Sequence, residues 1–446
     1  MNFSSVTFIF YFLPLILILY YVLPRKYQNA ILIIFSSFFY IFGDIKYFPL
    51  LLIIAIVNYF LSKKVKNKVI LIIGIILNIL PLVYFKYLNF IIDILNGVFK
   101  SGFDLFDLVL PLGISFLTFR MISFLVDVHR GKIQNVTFKK FMLYTLLFTY
   151  QIEGPIVRYS DIENELERRC ITSEDKENGA KRFIIGLAKK VILADTLGLF
   201  ITSIDSANTI VSLWLVALLN ILRLYLDFSA YCDMAIGLSL MLGFHFKENF
   251  NYPFVNTGMS DFWRKWHISL TSWFKDYVYI PLGGNRCSTL RNIINILVVW
   301  FLTGLWHGAN YTFIVWGLFF GIILIFEKFI FKRFLSKCPM ISCIITNILV
   351  VIGFVFFYAE DLSNAFMTIK GMFGLNSLPL INVDVIFYLK NYAFILLVSL
   401  AASLNIFKLF KGKGRRIAFV YYLILLILST AYIVDSSFNS FLYFRF

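Results

Sequence analysis

The chain has 446 residues, is 60% hydrophobic and 15% charged, and has a mean hydropathy of +0.82, which excludes an ordinary soluble globular domain. Its formal net charge of +16 would suggest a nucleic-acid partner in a soluble protein. Here the basic residues stand in short clusters between apolar runs: Arg25 and Lys26, "KKVKNK" at 63–68, Lys139 and Lys140, Lys332 and Arg333, "KGKGRR" at 411–416. The positive-inside rule for membrane loops accounts for them, and no nucleic acid is expected.

Eleven apolar runs follow one another: 7–23, 30–42, 47–61, 69–85, 108–126, 210–222, 293–305, 311–330, 344–358, 385–407 and 417–434. A hydrocarbon core roughly 30 Å thick needs about 20 helical residues, fewer where a helix is tucked among neighbours. The runs therefore predict an all-α polytopic membrane protein with about ten to twelve transmembrane helices, the shorter runs being candidates for re-entrant segments. Period-2 alternation, the mark of a membrane barrel, is absent. No basic segment precedes the 7–23 run and no small-x-small site follows it, so it reads as a first span rather than a cleaved signal. If the second and third runs form a pair turning near Asp44, both the Arg25 and the Lys63 loops lie in the cytoplasm and the amino terminus lies outside. His129, Arg130 and Lys132, the charged stretch "ENELERRCITSEDKENGAKR" (163–182) and the 411–416 cluster then fall inside. A reporter fused at residue 66 should accordingly read as cytoplasmic, and an exported signal there would invert the scheme.

The five cysteines show no C-x-x-C pair and no metal-ligand spacing, so they read as packing residues. The middle third carries the unusual chemistry. "LRLYLDFSAYCDMAIGLSLML" (222–242) places Arg223, Asp227 and Asp233 in an apolar helix, where ionisable groups face a bundle interior or a polar cavity. Arg223 and Asp227, four apart, share a helix face; the pair either locks helices together or lines a substrate path. Asp233 has no partner at helical spacing, which favours a functional position.

"DFWRKWHISLTSWFKDYVYIPLGG" (261–284) is interrupted by Arg264, Lys265, His267, Lys275 and Asp276 and is rich in Trp and Tyr: Trp263, Trp266, Trp273, Tyr277, Tyr279. This composition suits an interfacial or re-entrant segment, in which His267 taken alone would be an ordinary anchor. His307 ends the run "NIINILVVWFLTGLWHGAN" beside Trp306, flanked by Gly304 and Gly308. A desolvated imidazole there is neutral and suited to act as general base toward a hydroxyl, although a structural histidine fits the same residues. The two glycines allow a chain or a ligand to approach closely.

"WRKWHISLTSWFKDYVYIPLGGNR" followed by "GLWHGANYTFIVWG", with "LPLGISFLTFRMISFLVDVHRG" (110–131), "GPIVRY" (154–159), "RFIIGLAKKVILAD" (182–195) and "YLDFSAYCDMAIGLSLMLGFHFKENFNYPF" (225–254), resembles the membrane-bound O-acyltransferase (MBOAT) family, in the branch containing the alginate O-acetyltransferase membrane component. The likeness covers residues 1–325; residues 326–446 match only as generic spans, within what reads as a single membrane domain. The resemblance implies helices surrounding a tunnel through which a cytoplasmic acyl donor meets an acceptor on the other face. It assigns the catalytic histidine to His307 and a second motif histidine to His267, with Arg264, Trp266, Asp276, Tyr279, Trp306, Asp227 and Asp233 lining the tunnel and no metal.

Arg120, Ala230 and Glu153 depart from the expected pattern, at positions where relatives carry Gln, Gly and a small or apolar residue. The implied activity is transfer of an acetyl group from acetyl-CoA or another thioester for O-acetylation of a cell-surface or secreted polysaccharide, in the plasma membrane, with an extracytoplasmic SGNH/esterase-like acetyltransferase as partner. The rival readings are D-alanyl transfer to teichoic acid, the task of another branch, and a non-enzymatic transporter.

Overall fold

A computed structural model of the chain describes residues 1–331, 335, 337–404 and 415–435. Lys332, Arg333, residues 405–407 of the tenth run, 385–407, and residues 411–414 of the last basic cluster lie outside the described residues. The described residues form helices and their connections, with no β-strand among them. Leu, Ile, Val and Phe dominate these helices, and in hydrocarbon a helix is the element that satisfies every backbone N–H and C=O within one segment.

Of the expected crossings, six helices among the described residues are long and apolar enough to span a membrane: Lys68–Phe99, Ile210–Met241, Thr289–His307, Tyr311–Phe331, Pro339–Tyr358 and Val383–Ser403. Shorter apolar helices occupy Phe8–Val22, Phe48–Ser62 and Phe419–Asp435. Polar side chains set several starts. Asn67 Oδ1 accepts from Val69 N–H at 2.8 Å, Asn310 Oδ1 from Thr312 N–H at 3.1 Å, and Asn382 Oδ1 from Val385 N–H at 3.0 Å, each satisfying a donor that the first helical turn leaves open.

The 108–126 run differs from its expectation as one continuous apolar element. Residues 108–113 are not helical, and the helix is Ile114–His129. Pro111 lacks an N–H to donate, and Gly113 adopts φ +69°, where an added Cβ would collide with the Gln151 carbonyl. Residues 114–125 and 127 of this helix are buried, so it is a core helix and its hydropathy reports burial in protein.

Contacts divide the chain into two compact units. Among the described residues, the first comprises 1–186, 231–248 and 433–435, and the second 187–230 and those of 249–432. In the first unit, Asp44 ends the Gln28–Asp44 helix and accepts from Tyr47 N–H at 3.4 Å, so the expected turn falls there, directly before the Phe48–Ser62 helix. Asn58 and Asn78 exchange reciprocal amide hydrogen bonds at 2.9 and 2.8 Å between apolar helices, a polar contact suited to low-dielectric surroundings. Arg120 is buried, donates to the Thr145 carbonyl at 3.3 Å and lies 5.0 Å from the Tyr150 ring centroid. Glu153 and Ala230 are buried as well. Cys232 is buried, but Cys170 is exposed, so the packing reading does not extend to it.

The charged 163–182 stretch is largely helical. Residues 163–167 finish the Tyr159–Glu167 helix and Ser173–Ala188 begins a new one. A reciprocal cap starts it: Thr172 N–H donates to Asp175 Oδ2 at 2.9 Å and Asp175 N–H to Thr172 Oγ1 at 3.0 Å. Nearby, the ring of His245 meets Glu165 Oε1 at 2.8 Å and Asp175 Oδ1 at 3.4 Å. Burial opposes the imidazolium, but the hydrogen bonds and charges of Glu165 and Asp175 outweigh it and raise the pKa above its ordinary value of 6.5. A raised folded-state pKa means stability that is fully present below the unfolded value and is lost as pH rises through the folded one. The side chain is 51% exposed, so the contribution stays below about 1 kcal/mol. His245→Gln should lower the melting midpoint of purified protein at about pH 6, and the difference from wild type should vanish by about pH 9.

In the second unit the Thr289–His307 and Tyr311–Phe326 helices form its most intimate pair. Gly304 and Gly317 make this possible: a Cβ on Gly304 would collide with the Phe313 carbonyl, and one on Gly317 with the Trp300 carbonyl. The close approach foreseen at Gly304 and Gly308 is therefore that of a chain, since a Cβ on Gly308 would strike the Phe313 ring.

Candidate active site

Beyond residue 248 the chain runs without regular structure to residue 258 and then forms two short helices, Met259–Lys265 and Ile268–Phe274, parted by Trp266 and His267. His267 holds φ +45° and ψ +54°, a left-handed conformation that is strained for a residue with a Cβ. Asn249, fully buried, maintains it. Its carbonyl accepts from Ile268 N–H at 2.9 Å, and its Oδ1 accepts from Ser269 N–H at 3.1 Å and from Ser269 Oγ at 2.9 Å. The same Oδ1 stands 3.2 Å from His267 Nδ1.

The kink turns the aromatic residues inward. Trp263, Trp266 and Trp273 are only 6%, 2% and 4% exposed. Expected as interfacial anchors, these indoles form core instead, because two helices this short gain more from packing their rings on neighbouring side chains than from presenting them outward.

His267 is 2% and His307 3% exposed. The His267 ring meets Phe228 edge-on at 4.8 Å and Trp306 at 6.1 Å. His307 is enclosed by Trp306 at 4.8 Å, Trp316 at 4.9 Å and Phe357 at 5.2 Å. Burial pushes the His267 pKa down to about 3, so its imidazole is neutral throughout the physiological range.

Both histidines line one cavity of about 80 Å³, together with Trp263, Trp266, Leu270, Thr271, Phe274, Val299, Trp300, Thr303 and Trp316. A larger cavity of about 880 Å³, with Arg264, Lys275, Tyr279, Asn285, Glu327 and Lys328 in its wall, shares Thr271, Val299 and Trp300 with the small one. The arrangement is a wide polar vestibule beside a narrow aromatic chamber. The indole N–H groups of Trp263 and Trp316, two residues of the chamber wall, are buried and have no hydrogen-bond partner among the described residues.

The residues picked out in the sequence separate into groups. His267, His307 and Trp266 border the chamber, Trp306 touches both imidazoles, and Arg264 and Tyr279 face the vestibule. Tyr279 donates to Asn285 Oδ1 at 2.7 Å and accepts from Asn292 Nδ2 at 2.8 Å. Asp276 lines neither cavity. Asp227 is held by Lys190 Nζ at 2.8 Å, and Lys190 also meets Asp195 at 2.8 Å. The ion pair expected with Arg223 is thus made with a lysine of another helix, and Asp227 borders neither cavity. Asp233 belongs to the first unit, where Arg182 holds it at 3.0 Å and also binds Glu248; its carboxylate is engaged structurally.

Sequence reasoning missed Trp300, Thr303 and Trp316 as chamber walls, and Asn249. The first two were legible, because Thr303 and His307 are four apart and Trp300 and His307 seven apart, all on one helix face.

Comparison with known proteins accords with this architecture. Residues 128–363 match the MBOAT, membrane-bound O-acyltransferase family. The chain is 38% identical over 393 residues to the probable alginate O-acetylase AlgI of Pseudomonas aeruginosa, covering 84% of this chain and 75% of that protein. It is 33% identical over 429 residues to the peptidoglycan O-acetyltransferase of Helicobacter pylori, covering 86% and 81%. The teichoic acid D-alanyltransferase of Bacillus subtilis is 29% identical over 243 residues, covering 51% and 61%. With the family matched across more than half of its residues and its helices of membrane-spanning length, this chain belongs to the membrane-bound O-acyltransferase family and is a multi-pass O-acyltransferase.

Proposed function

We propose that the chain moves an acetyl group from a cytoplasmic thioester, acetyl-CoA or another acyl thioester, for O-acetylation of a cell-surface or secreted polysaccharide. The observation that carries this reading is the convergence of His267 and His307 on one buried chamber beside a polar vestibule. At about 80 Å³ against about 880 Å³ for the vestibule, the chamber is narrow, which suits a short acyl group such as acetyl.

His307 takes the proton of the acceptor hydroxyl as its oxygen attacks the thioester carbonyl carbon. The tetrahedral oxyanion forms beside the indole donors of Trp263 and Trp316, which need no reorganisation to receive it. The C–S bond then breaks, and the departing thiolate recovers the proton from His307. His267 orients the substrate, Trp266 and Trp306 shape the chamber, and Arg264 and Tyr279 shape its approach. Asp276, Asp227 and Asp233, assigned to the tunnel by the family resemblance, act outside these two cavities, with Asp227 held by Lys190 and Asp233 by Arg182.

In the cell this reading places the chain in the plasma membrane with its amino terminus outside. An extracytoplasmic SGNH/esterase-like acetyltransferase would complete transfer onto the polymer. Mild base release followed by mass spectrometry tests it: deleting the gene should remove acetate esters from the envelope or secreted polysaccharide, and the native gene should restore them. Loss of D-alanine instead would assign the chain to teichoic acid modification, the reading favoured by the relative in Bacillus subtilis.

A further inference from the structure

We infer that Asn249 is a positioning residue that holds His267 in the Nδ1-protonated tautomer and so presents the Nε2 lone pair to the chamber as a hydrogen-bond acceptor. The inference deepens the acyl-transfer reading and rests on it for its catalytic consequence, though not for the tautomer itself.

The backbone N–H of Ser269 can donate but not accept, and it points at the Asn249 side chain at 3.1 Å. The Asn249 atom it meets must therefore be the carbonyl oxygen, which fixes the amide against the flip that such groups otherwise permit. That same oxygen stands 3.2 Å from His267 Nδ1. Two facing acceptors would repel, so Nδ1 carries the hydrogen. In a neutral imidazole the other nitrogen then holds a lone pair.

Nε2 is buried and has no hydrogen-bond partner among the described residues, while His267 lines the chamber. Free imidazole side chains in water favour the opposite tautomer, with hydrogen on Nε2, so the protein imposes this state. Asn249 is equipped to do so: through its carbonyl and Oδ1 it engages three consecutive residues, 267–269, and fixes a left-handed residue that the chain would otherwise release.

The consequence divides labour within the chamber. With a lone pair facing inward, His267 accepts a hydrogen bond from a substrate hydroxyl or N–H and orients it. It has no proton to offer the thioester oxygen, so stabilisation of the oxyanion falls to the indole donors.

The test uses full-length protein in lipid nanodiscs with 15N-labelled histidine. The chain has four histidines, and His267→Gln identifies the signal of interest. Wild type should show a pyrrole-type signal at Nδ1 and a pyridine-type signal at Nε2 of His267. Asn249→Ala should shift the proton to Nε2 and lower kcat for acetyl transfer on the order of 10²-fold, with little change in KM for the thioester.

Asn249→Asp keeps both acceptor contacts, so it should fold and retain the Nδ1 proton even if the alanine variant does not fold. Its added charge beside the imidazole should raise the His267 pKa and move the acidic limb of the pH–rate profile upward. A wild-type proton on Nε2, or an Asn249→Ala protein that keeps it on Nδ1, would overturn the inference. The expected tautomers without acetyl transfer by wild type would support the role of Asn249 and overturn the acyl-transfer reading.

Discussion

Membranes carrying His307→Gln should acetylate polysaccharide at least about 10²-fold more slowly than wild type at matched protein levels, the loss expected when a general base is removed. Glutamine retains much of the volume that Trp306, Trp316 and Phe357 enclose, so the fold should persist and the deficit should appear in kcat. Alanine would test the same chemistry but also open a void among those rings, at a cost of about 2–5 kcal/mol for large-to-small changes. The measurement is acetate released from acceptor polymer per unit of folded enzyme, with thermal midpoints compared in parallel. Activity within about threefold of wild type would remove His307 from the mechanism. His267→Gln should be less severe, because an orienting contact is lost while the base remains.

Gly317→Val should abolish stable folding of the site. A Cβ on Gly317 meets the Trp300 carbonyl and lies 3.1 Å from both N and Cα of Gly304, all backbone atoms of the facing helix. Backbone cannot swing aside as a side chain can, so the helices must separate, and Trp300, His307 and Trp316 separate with them. Gly317 and Gly321 form a small-xxx-small stripe, the pattern that lets membrane helices approach closely. Overpacking costs of about 1–3 kcal/mol are a lower bound here. Fluorescence-detected gel filtration and melting curves in detergent would read the effect. Gly97→Ala is the control, since nothing lies within 4 Å of its added Cβ and a helical alanine is favoured over glycine. Equal losses in both variants would show that the Gly317 contact is not responsible.

Hydrophobic content determined the helical membrane class, because a chain that buries so few charges in lipid has few structures open to it. The motif around His307 pointed to the site proposed for the chemistry, since an ionisable ring at the end of an apolar run is costly unless used. Tertiary structure decided what local spacing could not. Asp227 shares a helix face with Arg223, yet Lys190 reaches it from another helix, and Asp233 finds Arg182 fifty-one residues away in the chain. Run 108–126 is as apolar as a span, but hydropathy does not distinguish lipid from protein as the surrounding medium. The tryptophans at 263, 266 and 273 carry the composition of a membrane interface and became core, because the kink at His267 turned them inward. That kink depends on Asn249, eighteen residues earlier. Composition is a local property and sets the class of fold; partners, burial and the direction of a side chain depend on contacts between distant segments, which only the folded chain brings together.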